Sequence, residues 1–167
     1  DLRGKQRERK VGNLVLVVMD ASGSMETQQR MVATKGAVLS LLRDSYVKRD
    51  RVGLIAFRDT VGEVVVPPTG SATQAAMQLT WLASGGTTPL SIGLFAAVKT
   101  LEMERVREPG RKAILALITD GRANVAYFGG EPLEEAVKIA KTIRKMGVTS
   151  LVIDADRMVA GPAALRT

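Results

Sequence analysis

The unbroken apolar run Leu14–Met19 has polar residues on both sides. A run of this length with no alternation reads as a strand buried on both faces, as in the middle of a parallel sheet. From Thr27 to about Lys48 the period changes to that of a helix, with Met31, Lys35, Val38, Leu41/Leu42 and Tyr46 on one stripe. Arg43 and Lys48 near its end suit the helix dipole. "RVGLIAF" (Arg51–Phe57) is a second strand, and "EVVVPP" (Glu63–Pro68) a third, which the proline pair is expected to stop. Only a short turn separates these two, so the third should pair antiparallel.

Ser71 is placed to cap a short helix through Leu82. "SGGTTPL" (Ser84–Leu90) reads as a loop, and Pro89 suits the first turn of a helix carrying Leu90, Leu94, Ala97/Val98 and Leu101. "AILALIT" (Ala113–Thr119) is another fully apolar strand, ending at "DGRAN". Leu133, Ala136, Val137, Ala140 and Ile143 mark a helix that Gly147 ends, and Val148–Asp154 is the last clear strand. Strands alternating with amphipathic helices predict an α/β fold. Its doubly wound, mostly parallel sheet carries helices on both faces and one short antiparallel edge strand. The expected organisation is a basic lead-in over 1–12, one domain over 13–156 and an irregular tail over 157–167. A fold of this type would usually add one more strand and helix at that tail, and the chain opens on Asp, so it is expected to be a piece of a longer protein.

Composition narrows the chemistry. The 167 residues contain no cysteine and no histidine, which removes disulfides, thiolates, Cys/His zinc sites and histidine triads. Any bound metal must take oxygen ligands, which points to Mg²⁺, with Mn²⁺ or Ca²⁺ as alternatives. A lack of cysteine agrees with a cytoplasmic home. No apolar run approaches the length of a membrane span, and no signal-peptide core is visible. The net charge is +7, of which "DLRGKQRERK" supplies +3. No aromatic stacking residues stand beside that segment, so it reads as a solvated linker or a surface for an acidic partner, not a nucleic-acid arm.

Three polar clusters fall at or near the carboxyl ends of strands, where open α/β sheets bind ligands. Asp20, Ser22 and Ser24 follow the first strand in "DASGSM"; Thr87 and Thr88 lie in "GGTTP"; Asp120 follows "AILALIT". Singly, each is ordinary turn chemistry. Together they form an oxygen donor set for a cation that prefers about six oxygens near 2.1 Å. Hydroxyl ligands are neutral, so the ion would keep positive charge and favour a carboxylate from outside. Gly23, Gly85 and Gly86 would let the backbone turn around it. Either threonine of that loop, Thr88 or Thr87, could supply the further hydroxyl.

This order of motifs resembles the von Willebrand factor A (integrin I-like) family and its metal-ion-dependent adhesion site. The family's D-x-S-x-S stands here as Asp20-Ala21-Ser22-Gly23-Ser24, its threonine falls in Gly85–Pro89, and its last aspartate matches Asp120. "RERKVGNLVLVVMDASGSM", "RMVATKGAVLSLLRDSYVKRDRVGLIAF", "PPT", "GGTTPLSIGL" and "ITDGRAN" are in turn similar to the D subunits of magnesium chelatase and cobaltochelatase. The resemblance implies a non-catalytic module in which Asp20, Ser22, Ser24, Thr88 and Asp120 hold Mg²⁺. It also implies an AAA+ ATPase subunit and the large porphyrin-binding chelatase subunit as partners, engaged through an acidic residue, with no nucleic acid or membrane. The parent complex would be an ATP-dependent chelatase inserting a metal into a tetrapyrrole, although no phosphate-binding loop motif occurs in this chain.

Two alternatives compete. One is a module of another AAA+-associated assembly. The other is a phosphoryl-transfer enzyme with Asp20 as nucleophile, where Ser22 takes the place of the needed acid/base carboxylate. An extracellular adhesin would more often show a signal sequence or cysteines. Arg58 and Arg122, after strand ends, are candidate contacts for an acidic partner surface, whereas Trp81, Met146 and Met158 are expected to pack.

Overall fold

The computed structural model describes residues 12–23 and 27–159. Ser24, most of the basic lead-in and the end of the tail lie outside the described residues. The strands are β1 (Leu14–Asp20), β2 (Arg51–Arg58), β3 (Val61–Thr69), β4 (Ala113–Thr119) and β5 (Thr149–Asp154). The helices are α1 (Thr27–Lys48), α2 (Ala72–Trp81), α3 (Leu90–Arg107), α4 (Pro132–Lys145) and α5 (Ala155–Val159). The stretch after β5, patternless in the sequence, thus opens as a short helix. No described helix is long and apolar enough to cross a membrane.

The sheet order is β3-β2-β1-β4-β5, with β3 antiparallel to β2 and every other pairing parallel. The doubly wound expectation holds. Central β1 explains its own sequence, because both faces are covered. Val15, Val17 and Met19 pack with Val38 and Leu42 of α1, Ala75 and Leu79 of α2 and Ala155 of α5. Leu14, Leu16 and Val18 pack with Leu94, Ala97 and Leu101 of α3 and Ala136 and Ile143 of α4. Gly93 lets α3 sit directly on the sheet, since a Cβ there would come within 2.4 Å of the buried Phe57 ring.

Four expectations need correcting. The proline pair does not stop β3, which runs on to Thr69. As an edge strand it needs no amide hydrogens on its free side. The pairing shifts register where Gly53 faces the prolines, and Arg51 Nη2 donates to Pro68 O at 2.6 Å. On α1, Tyr46 is 70% exposed and the buried stripe instead runs through Met31, Thr34, Val38, Leu42 and Ser45. On α4, Leu133, Val137 and Ala140 face outward, and the inward stripe is Glu135, Ala136, Ile139 and Ile143. Trp81 is not packed: it is 82% exposed at the end of α2.

Winding reverses at β1. The chain leaves it through α1 to β2 on one side, while β4 takes the other side. The carboxyl ends of β1 and β4 therefore flank a crevice at the switch point.

Candidate metal centre

That crevice is where the polar clusters meet. Asp20 ends β1 and Asp120 follows β4, the strand paired with it. The third cluster arrives on the loop before α3, which backbone bonds staple to the first: Gly85 N donates to Ala21 O at 2.8 Å and Gly23 N to Gly86 O at 3.0 Å. Gly86 has φ +81, and a Cβ there would overlap the Asp59 carboxylate at 1.7 Å. The positive φ favours glycine here, and the close approach of the Asp59 carboxylate adds to it.

Asp59 also separates the two threonines. Thr87 turns toward it: Thr87 Oγ1 donates to Asp59 O at 3.0 Å and Thr87 N donates to Asp59 Oδ1 at 3.3 Å. Thr88 turns inward, buried at 6% exposure, with Oγ1 2.7 Å from Ser22 Oγ. Its amide donates to Asn124 Oδ1 at 2.7 Å, and Asn124 N returns a bond to Thr88 O at 3.2 Å. The loop after β4 is thereby tied to the loop before α3.

Asp20 Oδ1 accepts from the Ser22 hydroxyl and from Ser22 N at 2.8 Å, while Thr119 Oγ1 reaches Oδ2 at 3.4 Å. Burial pushes the Asp20 carboxyl above its ordinary value; hydrogen bonds from Ser22 and Thr119 oppose the shift, and the nearby Asp120 charge adds to it. Asp20, Ser22, Thr88 and Asp120 line one cavity of about 200 Å³ with Gly23, Gly86 and Asn124. Among the described residues no group of three or more His, Cys, Asp or Glu side chains gathers as a metal cluster. The donor set that does converge is two carboxylates with neutral hydroxyls. Its chemistry fits a hard, oxygen-loving cation, because added positive charge would relieve the burial and mutual repulsion that disfavour Asp20 as an anion.

Of the two arginines singled out, Arg122 lines this cavity, its Nε 3.8 Å from Asp120 Oδ2 and its side chain 71% exposed. Arg58 lines a separate groove with Asp59, Glu63 and Trp81. The sequence reading missed Arg30, which pairs with Asp120 at 3.3 Å and with Asp156 of α5 at 2.5 Å. Nothing in the periodicity of α1 distinguishes it from a solvated arginine. Asn124 was also missed, although it lies in the "ITDGRAN" stretch.

A third omission is Glu135, 6% exposed on α4. It accepts from Tyr127 N (2.7 Å), Phe128 N (2.8 Å), Gly130 N (2.9 Å) and Ser91 Oγ (3.2 Å). Burial works against its charge, but the amides of Gly130, Tyr127 and Phe128 and the Ser91 hydroxyl outweigh it and hold the carboxyl below its usual value. The signal was present: Glu135 falls on the same stripe as Ile139 and Ile143.

A von Willebrand factor type A domain model matches residues 15–122. The chain is 39% identical to the magnesium-chelatase 60 kDa subunit of Rhodobacter capsulatus over 158 residues, covering 92% of this chain and 28% of that protein. It is 41% identical to the uncharacterised Rv2850c of Mycobacterium tuberculosis over 156 residues, covering 93% of this chain and 24% of that protein. The chain thus spans about a quarter of the length of these curated relatives. Among solved structures, the SpRpn10 VWA domain superposes with TM-score 0.69 at 16% identity, covering 89% of this chain and 80% of that one. At that identity the likeness concerns the fold alone.

Proposed function

This chain belongs to the von Willebrand factor type A family and is related to magnesium-chelatase subunits, and from that premise we propose that it is a metal-dependent protein-docking module. The observation that carries the reading is the convergence of Asp20, Ser22, Thr88 and Asp120 on one cavity at the sheet's switch point. These side chains, with Ser24, would hold Mg²⁺. Bound there, the ion supplies a coordination position for a carboxylate from outside.

The protein's own residues do the rest. Asp20 and Asp120 provide the negative charge, while Ser22 and Thr88 contribute oxygens without adding any. A shell with few charged ligands leaves the ion short of negative charge, which selects an acidic partner residue. Arg122, which lines the same cavity, would meet the same acidic surface. No acid/base pair is needed for such a role, so the module is read as non-catalytic. By kinship with the chelatase subunits, the partners would be an AAA+ ATPase subunit and the large porphyrin-binding subunit of a cytoplasmic chelatase. Coupling the two during metal insertion would be its task.

The test is capture of the purified porphyrin-binding subunit by this chain, with Mg²⁺ or with a chelator, alongside Ser22→Ala. Capture that needs Mg²⁺ and fails in the variant is the expected result. Capture indifferent to both would contradict the reading.

A further inference from the structure

The chain has only three phenylalanines, two tyrosines and one tryptophan, yet Phe95, Tyr127 and Phe128 meet at one place. Tyr127 and Phe128 pack edge to face at 4.7 Å, and Phe95 lies 5.9 Å from Tyr127 and 5.8 Å from Phe128 between ring centres. This cluster is not core. Tyr127 is 54% and Phe128 60% exposed. Adjacent aromatic side chains held half in water are a feature of binding surfaces, not of inert ones.

Nor is the loop that carries them loosely placed. The Glu135 carboxylate gathers the amides on either side of the rings, and Ser91 in the first turn of α3 steadies that carboxylate. The same helix start carries Thr88, which Asn124 grips. One hydrogen-bonded frame therefore fixes both the cavity hydroxyl and the aromatic rings. Asn124 and Tyr127 are three residues apart, so their Cα atoms lie within about 11 Å.

We infer that Phe95, Tyr127 and Phe128 form the second anchor point of the docking site, seating an apolar side chain of the same acidic protein segment whose carboxylate the cavity engages. This rests on the metal-dependent reading above. Charge complementarity supports an acidic segment: the Lys99 ammonium sits 4.8 Å over the Phe95 ring, and the largely exposed Arg122 lines the cavity. The acids that open α4 are partly occupied. Glu131 accepts the Glu134 amide at 2.9 Å and Glu135 holds the loop; the Glu131 and Glu134 carboxylates are what the segment's acidic residue must avoid. At about 3.3 Å per residue in extended chain, the apolar residue should stand roughly three to five positions from the acidic one. A peptide fits better than a nucleic acid, because two of the three ring pairs meet edge to face and so do not form a series of parallel platforms for successive bases.

The experiment is selection of random displayed dodecapeptides on the 167-residue chain in Mg²⁺, followed by titration of the selected peptides by fluorescence anisotropy. A labelled single-stranded oligonucleotide serves as a further probe. The expected peptides pair Asp or Glu with a Leu, Pro or aromatic residue at the stated offset. Their affinity should fall about tenfold or more in Tyr127→Ser and Phe128→Ser, recover in Tyr127→Phe, and stay unchanged in Val106→Ser, an exposed control on α3. A chelator should abolish binding as well. Selected peptides indifferent to both aromatic variants, no selected peptides at all, or tight oligonucleotide binding in their place would each overturn the inference. Binding that needs the rings but ignores the chelator would keep the aromatic anchor and sink the metal reading instead.

Discussion

Two acidic side chains, Asp20 and Glu135, are drawn into the protein within the same neighbourhood and treated in opposite ways. Glu135 is met by three backbone amides and a hydroxyl, and its charge is favoured. Asp20 is met by one residue's amide and hydroxyl and a distant threonine, faces Asp120 across the cavity, and its charge is disfavoured. A carboxylate whose acceptor capacity is filled by its own chain is part of the framework. One left short of positive charge at a strand end is what the proposed metal site needs. The contrast separates structure from function without reference to any relative.

Replacing each in turn should pull the pair apart. Asp20→Asn is expected to reduce Mg²⁺ affinity by on the order of 100-fold or more, since even outer partners of metal ligands matter by about 10- to 100-fold. The same change should raise the melting temperature of the metal-free chain near neutral pH. The folded Asp20 carboxyl holds its proton more tightly than the unfolded one, so its contribution to stability falls as pH rises from 3.8 through the raised value. Glu135→Gln should do the reverse. It puts an amide group against backbone donors, lowering the melting temperature by several degrees while leaving Mg²⁺ binding largely in place.

The threonines sharpen the comparison next. Thr88→Val should weaken Mg²⁺ binding by roughly 10- to 100-fold. Thr87→Val, which loses only its contact to Asp59, should leave the affinity close to that of the unmodified chain. Acid is a further divider. The Glu135 carboxyl sits below its ordinary value of 4.5, so the order it gives the 127–130 loop is present above that pH and lost as pH falls through the depressed value. Amide exchange of Tyr127 and Phe128 should stay slow until then, whereas Mg²⁺ affinity should already be falling at a higher pH as Asp20 takes up its proton. Smallest is Arg30→Ala. It frees Asp120 from a competing cation and should strengthen Mg²⁺ binding by about two- to fivefold.

Much of this was legible because burial on both faces leaves a direct mark on a sequence. β1 and β4 read as unbroken apolar runs, and α1 was bounded correctly by its change of period. Asp20 and Asp120 could be placed at one sheet edge because each lies at a strand end, which the strand pattern itself locates; Thr88 reaches the same cavity on the loop between α2 and α3, and Ser24 lies outside the described residues. What escaped was decided by partners distant in sequence. The exposure of Leu133, Val137 and Trp81 depends on how α2 and α4 are rotated against the sheet, and several faces of those helices are apolar enough to compete. Pro67 and Pro68 read as a stop although the strand was expected at an edge; on the free side of an edge strand absent amides cost little, so β3 runs through both. Glu135 was not singled out, because its donors are amides of the preceding loop and the Ser91 hydroxyl, which the helical period does not place. Arg30 bridges Asp120 and Asp156, both far along the chain.

Calorimetric titration of the metal-stripped chain with Mg²⁺, beside Asp20→Asn and Glu135→Gln, tests the central claim most directly. Near-stoichiometric binding that is lost in Asp20→Asn and kept in Glu135→Gln is the predicted result. Binding that survives Asp20→Asn, or an intact chain that takes up no Mg²⁺ even with an acidic peptide present, would contradict it.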